Sequence, residues 1–160
     1  MARSKVPPAV ETPSLEFHRS FPATCEQLYR CFTEAEQLTQ WFGPEGVSCP
    51  RASVDARPGG RYRIEMANPD GSLAVVVGRF LELDPPRLIR MTWCWETWPD
   101  GPTGEESLVT IDLEPQAGGA LLTLTHERLA TDDARRKHRE GWESTLECLA
   151  AYLDESRSPV

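Results

Sequence analysis

Histidine and tryptophan carry most of the chemistry this chain could perform. His138 lies one helical turn before Trp142 in an amphipathic stretch near the end of the sequence. The two therefore share a helix face. An imidazole there could donate, accept or shuttle a proton at a cavity wall, since its unperturbed pKa is about 6.5. His126 shares the inward register of Leu122 and Leu124 in an alternating run. It reaches the same interior by a different route. For both, the competing role is that of a core histidine bonded to a backbone carbonyl or a carboxylate. His18 falls on the register opposite Phe17, so exposure is expected. Three histidines without H-x-H or H-x-x-x-H spacing predict no metal centre. No Ser-His-Asp order or G-x-S-x-G elbow is present, so no catalytic constellation is expected. Asp55, Arg57 and Arg61 flank Pro58-Gly59-Gly60. That loop joins two strands with no helix behind it, which argues for a turn held by an Asp–Arg pair and against a phosphate cradle.

Tryptophan is abundant, with five in 160 residues, and Trp93, Trp95 and Trp98 are clustered. Such rings suit a pocket for a flat apolar molecule oriented by a few polar groups. Trp41 and Trp142 serve equally well as core packing. Gly141, inside the helical stretch, costs about 1 kcal/mol relative to alanine. Close approach to a strand or to Trp41 would account for it, and a cavity-side kink is the functional alternative. The five cysteines form no C-x-x-C pair, so small buried or half-buried thiols are expected.

Positioning these residues needs strands followed by one long helix. Leu15, Phe17 and Phe21 predict a first strand. Thr24 predicts the cap of a helix carrying Leu28, Tyr29 and Phe32, and Thr33 that of a second with Leu38 and Trp41. Six strand signals follow: 47–54, Arg61 to Met66, Leu73 to Leu83 with Gly78 at a bulge or close approach, Leu88 to Trp95, Ser107 to Leu113, and Leu122 to His126. Tyr62, Ile64 and Met66 alternate with charged residues, which places Glu65 on the solvated face. Tight turns make neighbouring strands antiparallel, and seven twisted strands curl. A helix from Asp132 to Leu153, about 33 Å long, then has the concave face as the place to bury its stripe.

Composition narrows the partners. A net charge of −8 disfavours nucleic acid and anionic membrane surfaces. No apolar run approaches the ~20 residues of a bilayer span, and the start lacks an apolar signal core, so a cytoplasmic location is expected. One domain is predicted over 14–155, with disordered ends at 1–13 and 156–160.

Taken in order, Trp41-Phe42-Gly43-Pro44, Asp55 to Tyr62, Asp70-Gly71, Gly78, Pro85-Pro86-Arg87-Leu88, Thr92-Trp93, Thr125-His126-Glu127 and His138-x-x-Gly141-Trp142 resemble the Hsp90-ATPase-activator-homologue family. The resemblance spans about Leu15 to Leu153. It implies an α+β, START-like (Bet v 1-like) helix-grip fold, β-α-α-β(6)-α, with a deep cavity between sheet and last helix. It also implies binding of a small apolar molecule without a cofactor. Trp41, Tyr62, Ile64, Met66, Trp93, Trp95, His126, His138, Trp142, Thr145, Leu146 and Leu149 are the expected ligand contacts. The alternatives are a polyketide cyclase- or dehydratase-like enzyme, with His126 or His138 as acid/base and Tyr62 as donor, and a module that binds an Hsp90-type chaperone. The chain shows no counterpart of the extra N-terminal domain of eukaryotic activators, which makes the chaperone the least favoured partner. A homodimer is compatible with all three.

Overall fold

A computed structural model describes residues 14–157. The expected tails at 1–13 and 156–160 fall outside the described residues, except that the last helix continues through Arg157. The elements are β1 (Leu15–Phe21), α1 (Cys25–Thr33), α2 (Ala35–Trp41), β2 (Ser48–Val54), β3 (Arg61–Ala67), β4 (Leu73–Asp84), β5 (Leu88–Thr97), β6 (Glu106–Gln116), β7 (Gly119–Glu127) and α3 (Asp132–Arg157). They form one seven-stranded sheet in the order β1-β7-β6-β5-β4-β3-β2, antiparallel at every junction. The β-α-α-β(6)-α order read from the sequence is the order observed. α3 has 26 residues, about 39 Å at 1.5 Å per residue, four residues longer than its apolar stripe suggested.

α1 begins in a capping box. The Thr24 hydroxyl accepts from the Gln27 amide at 3.0 Å, and the Gln27 side chain accepts from the Thr24 amide at 2.8 Å. The second cap differs from expectation. Thr33 is the last residue of α1, and its hydroxyl donates back to the Tyr29 carbonyl at 2.9 Å. With that oxygen committed, Glu34 becomes the N-cap of α2, without a side-chain cap bond. α3 starts behind Arg128, whose φ of 68° turns the chain. Thr131 caps it by accepting from the Ala134 amide at 3.0 Å, and Asp132 and Asp133 complement the helix dipole.

The core lies between the concave face and the helices. Tyr62, Ile64 and Met66 of β3, Ile111 and Leu113 of β6, and Leu122, Leu124 and His126 of β7 point into it. Trp142, Leu146, Leu149 and Leu153 of α3 meet them. Charges cover the opposite face. There Glu65 is half-buried rather than fully solvated, because the Arg63 guanidinium pairs with it and with Glu96 and covers it. His18 is exposed and pairs with Glu16 at 3.0 Å.

Gly78 and Gly60 are two of the places where the backbone demands glycine. A Cβ on Gly78 would sit 2.1 Å from the Thr92 carbonyl oxygen and 2.6 Å from Tyr62 Cε2. The same carbonyl accepts the buried Tyr62 hydroxyl at 2.6 Å. Gly78→Ala should therefore cost about 3 kcal/mol, seen as a lower urea midpoint, because backbone rather than a side-chain tip must move. In the Gly59-Gly60 turn, a Gly60 Cβ would meet the Asp55 carbonyl at 2.0 Å. The two amides there donate to the carbonyls of Phe80 and Arg57, both at 2.8 Å. Neither is left for a phosphate, and the expected Asp55–Arg57 pair closes at 2.9 Å.

Candidate functional site

The N-terminal half of α3 crosses β5 and β7 over a cluster of aromatic rings, and the rotamers there follow from hydrogen bonds that can be assigned one by one. Trp142 Nε1–H donates to His126 Nδ1 at 3.0 Å. That nitrogen must be bare, so the proton of the neutral ring sits on Nε2. Nε2–H donates to the Ser107 hydroxyl at 2.7 Å, and Ser107 in turn donates to the Trp93 carbonyl at 3.2 Å. His138 is the opposite tautomer. Its Nδ1–H donates to the Ala134 carbonyl at 2.7 Å, and its Nε2 accepts from Trp95 Nε1–H at 3.0 Å. The two imidazoles lie 4.9 Å apart in an edge contact. Both are held below the ordinary histidine range by burial, His126 far below, with the neighbouring His138 adding to the effect. All four ring nitrogens are committed. Among the described residues no three His, Cys, Asp or Glu side chains gather into a metal-holding group.

Trp93 sits at the centre of this cluster, packed against Trp142 at 5.1 Å, Trp95 at 5.5 Å and His126 at 5.5 Å. Trp95 stacks on Trp98 at 5.0 Å with the rings 8° from parallel. Lys137 lies 5.7 Å from the centre of the Trp98 ring, donates to the Asp100 carbonyl, and pairs with Asp133 at 3.0 Å.

Beside these rings opens a pocket of about 130 Å³. Six of the residues expected to contact a ligand line it: Met66, Trp93, Trp95, His138, Trp142 and Thr145. The other six are placed elsewhere. Trp41 packs edge-on against Phe32 and Phe42 and donates to the Cys31 carbonyl. His126 lies behind Trp142, and Tyr62, Ile64, Leu146 and Leu149 fill the core away from the opening. The Tyr62 hydroxyl, considered as a catalytic donor, is spent on Thr92. Phe42, Pro44, Val47, Asn68, Ala74, Trp98, Asp100, Lys137 and Gly141 complete the wall. Lys137 and Gly141 were within reach of helical spacing, since 137, 138, 141, 142 and 145 form one stripe. The loop residues were not, because no periodicity aims a loop. The pocket is smaller than the deep cavity the resemblance implied. Large side chains from α2, β5 and α3 meet across the rest of the interior.

Gly141 corrects an expectation. A Cβ built there meets nothing within 4 Å, so no close approach of helix to strand explains it. It borders the pocket, and the missing side chain leaves open space. Gly141→Ala should raise stability by about 0.5–1 kcal/mol in thermal unfolding while narrowing the pocket. Burial pushes the Cys31 thiol up to about 12 and the Cys49 thiol up to about 11, and all five cysteines are unpaired.

The model of the family described as Activator of Hsp90 ATPase homolog 1-like protein matches residues 22–154. The chain belongs to this family. The murine Activator of 90 kDa heat shock protein ATPase homolog 1 is 28% identical over 134 residues, which are 84% of this chain and 35% of that protein. The chain thus spans about a third of the length of that relative. Among solved structures, the AHSA1 protein from Silicibacter pomeroyi is 34% identical, with a TM-score of 0.80 over 91% of this chain and 100% of its own. A protein from Chromobacterium violaceum is 31% identical, with a TM-score of 0.78 over 87% and 95%. The helix-grip fold expected from the sequence is the fold of this family member. No helix among the described residues is long and apolar enough to cross a membrane.

Proposed function

We propose that this family member binds a small, mainly apolar molecule in the pocket beside Trp93, Trp95 and Trp142. The observation that carries the reading is Gly141. A helix retains a destabilising glycine at the pocket wall, where nothing in the protein would obstruct a side chain. Stability is forgone where space is kept, the usual trade at a binding site. The aromatic lining and the few polar groups at the rim fit the same use.

Binding is favoured over acid/base catalysis because every ring nitrogen of His126 and His138 is engaged in a structural hydrogen bond. Cyclase-like chemistry would need one of them free at working pH. A chaperone contact of the kind named for the mammalian relatives would use the outer surface and leave the pocket untouched.

Gly141→Leu tests the reading. Its side chain enters open space, so the fold should survive, with an unchanged circular dichroism spectrum, while uptake of a small aromatic probe falls at least tenfold in titration calorimetry. Native mass spectrometry of the purified wild type should show a bound small molecule that the variant lacks. Equal probe binding by both proteins would remove the proposal.

A further inference from the structure

The pocket of about 130 Å³ and a neighbouring space of about 30 Å³ are divided by one partition: Trp93, Trp95, Trp98 and His138 border both. Three of these side chains are fixed. Trp95 and His138 are hydrogen-bonded to each other at 3.0 Å, and His138 is tied again to the Ala134 carbonyl. Trp93 is enclosed by rings, its N–H buried without a partner among the described residues. Trp98 is different. It is half-buried, it follows the last residue of β5 in the connection to β6, and its indole makes no hydrogen bond among the described residues. Ring contacts alone hold it. It stacks on Trp95 at 5.0 Å, 8° from parallel, and lies against Gly101, where a Cβ would meet its Cζ3 at 2.3 Å. Lys137 Nζ stands 5.7 Å from the ring centre.

Resting on the binding role proposed above, we infer that Trp98 occupies the seat of the ligand's own ring system: a flat, two-ring aromatic molecule displaces the Trp98 indole and stacks on Trp95 in its place. Size points to two rings. An apolar cavity of ~150 Å³ takes up a benzene-sized ring, so the pocket of about 130 Å³ admits one ring. Swinging Trp98 outward adds the volume of an indole, itself two fused rings, and joins the pocket to the space behind the partition. Shape follows from Trp95, whose face takes a parallel partner. Electronic character follows from Lys137, since a cation over the seat favours an electron-rich ring. The connection can yield because its turn is weakly closed. The Gly101 amide donates to the Trp98 carbonyl at 3.4 Å, long for such a bond.

Three probes test this: 2-naphthol, its saturated counterpart decahydro-2-naphthol, and phenol, each titrated into the full chain labelled with 15N at its indoles. The Trp98 signal is assigned by its loss in Trp98→Ala. In the wild type, 2-naphthol should move that signal and show contacts to the Trp95 ring. It should bind at least tenfold more tightly than the saturated alcohol, which cannot stack. Trp98→Ala removes the competing ring, so 2-naphthol should tighten about tenfold while phenol gains less than twofold. Gly101→Ala, at a position without a positive φ, drives the indole from its seat without deleting it and should tighten 2-naphthol in the same direction. A fixed wall behaves oppositely, because deleting it weakens every ligand. The signal shift is read in the wild type, so the test does not depend on either variant folding. The displacement is overturned while the pocket stands if phenol binds and 2-naphthol does not, or if 2-naphthol leaves the Trp98 signal unmoved. Weaker binding of 2-naphthol to Trp98→Ala, or equal binding of the saturated alcohol, overturns it too. If no probe binds the wild type or Trp98→Ala, and Gly141→Leu behaves identically, the binding role and this inference fall together.

Discussion

Replacing His126 by alanine should destabilise the protein by about 3–5 kcal/mol, read as a fall in urea midpoint at constant m-value. The side chain is fully buried. It joins α3 to the sheet through Trp142 at 3.0 Å and Ser107 at 2.7 Å. Truncation leaves a void and strips the Trp142 N–H of its acceptor. The two costs separate by substitution. His126→Leu keeps most of the volume and should cost about half as much, chiefly the orphaned indole donor. Adding Trp142→Phe to His126→Leu removes that donor too. The double variant should then lose less than the sum of the singles, by about 1–3 kcal/mol, since replacing both partners of a buried bond is far milder than replacing one. Strict additivity would show that the Trp142–His126 bond contributes nothing.

Acid should unfold this protein earlier than its surface carboxylates alone would. Both imidazoles have folded-state pKa values below the ordinary ~6.5 that they regain on unfolding. The unfolded chain therefore binds more protons below about pH 6.5, and stability falls as pH falls. Near pH 8 the histidines are neutral in both states and add no slope, whereas above about pH 9 the raised thiols of Cys31 and Cys49 make stability fall as pH rises. Below 6.5 each histidine contributes a slope of up to about 1.4 kcal/mol per pH unit until its folded-state pKa is reached. Geometry explains why folded His126 resists protonation. A proton on Nδ1 would face the Trp142 N–H, donor against donor. Asp133, Glu147, Glu96 and Asp70, whose carboxyls are held low by hydrogen bonds to Lys137, Arg19, Arg63 and Ser72 respectively, extend the loss in the same direction at lower pH. Thermal midpoints measured from pH 8 to pH 5 check this. The decline between 6.5 and 5 should be roughly halved in His126→Leu, and an unchanged profile in that variant would contradict the assignment.

Much of this protein was legible without coordinates, because periodicity reports which side chains share a face. Alternation in Tyr62-Ile64-Met66 and Leu122-Leu124-His126 identified the inward strand positions. Helical spacing put His138, Trp142, Thr145 and Leu149 on one stripe. Turn chemistry at Asn68-Pro69-Asp70-Gly71 and Gly118-Gly119 fixed antiparallel neighbours. Since a curled sheet offers one concave face, the destination of the last helix followed as well.

Contacts between elements distant in sequence were decided only in the folded state. Inwardness says that Trp41 and Trp142 are buried, but not that one ends on the Cys31 carbonyl and the other on His126. It does not divide Leu146, which packs core, from Thr145, which borders the pocket. It misread Gly141, because whether a missing Cβ answers a close neighbour or an open space depends on what stands across from it. The tautomers of both histidines and the unmatched N–H of Trp93 belong to the same class. Local sequence sets direction along the chain, whereas distance between chain segments is set by how side chains from five or six elements fill one shared interior.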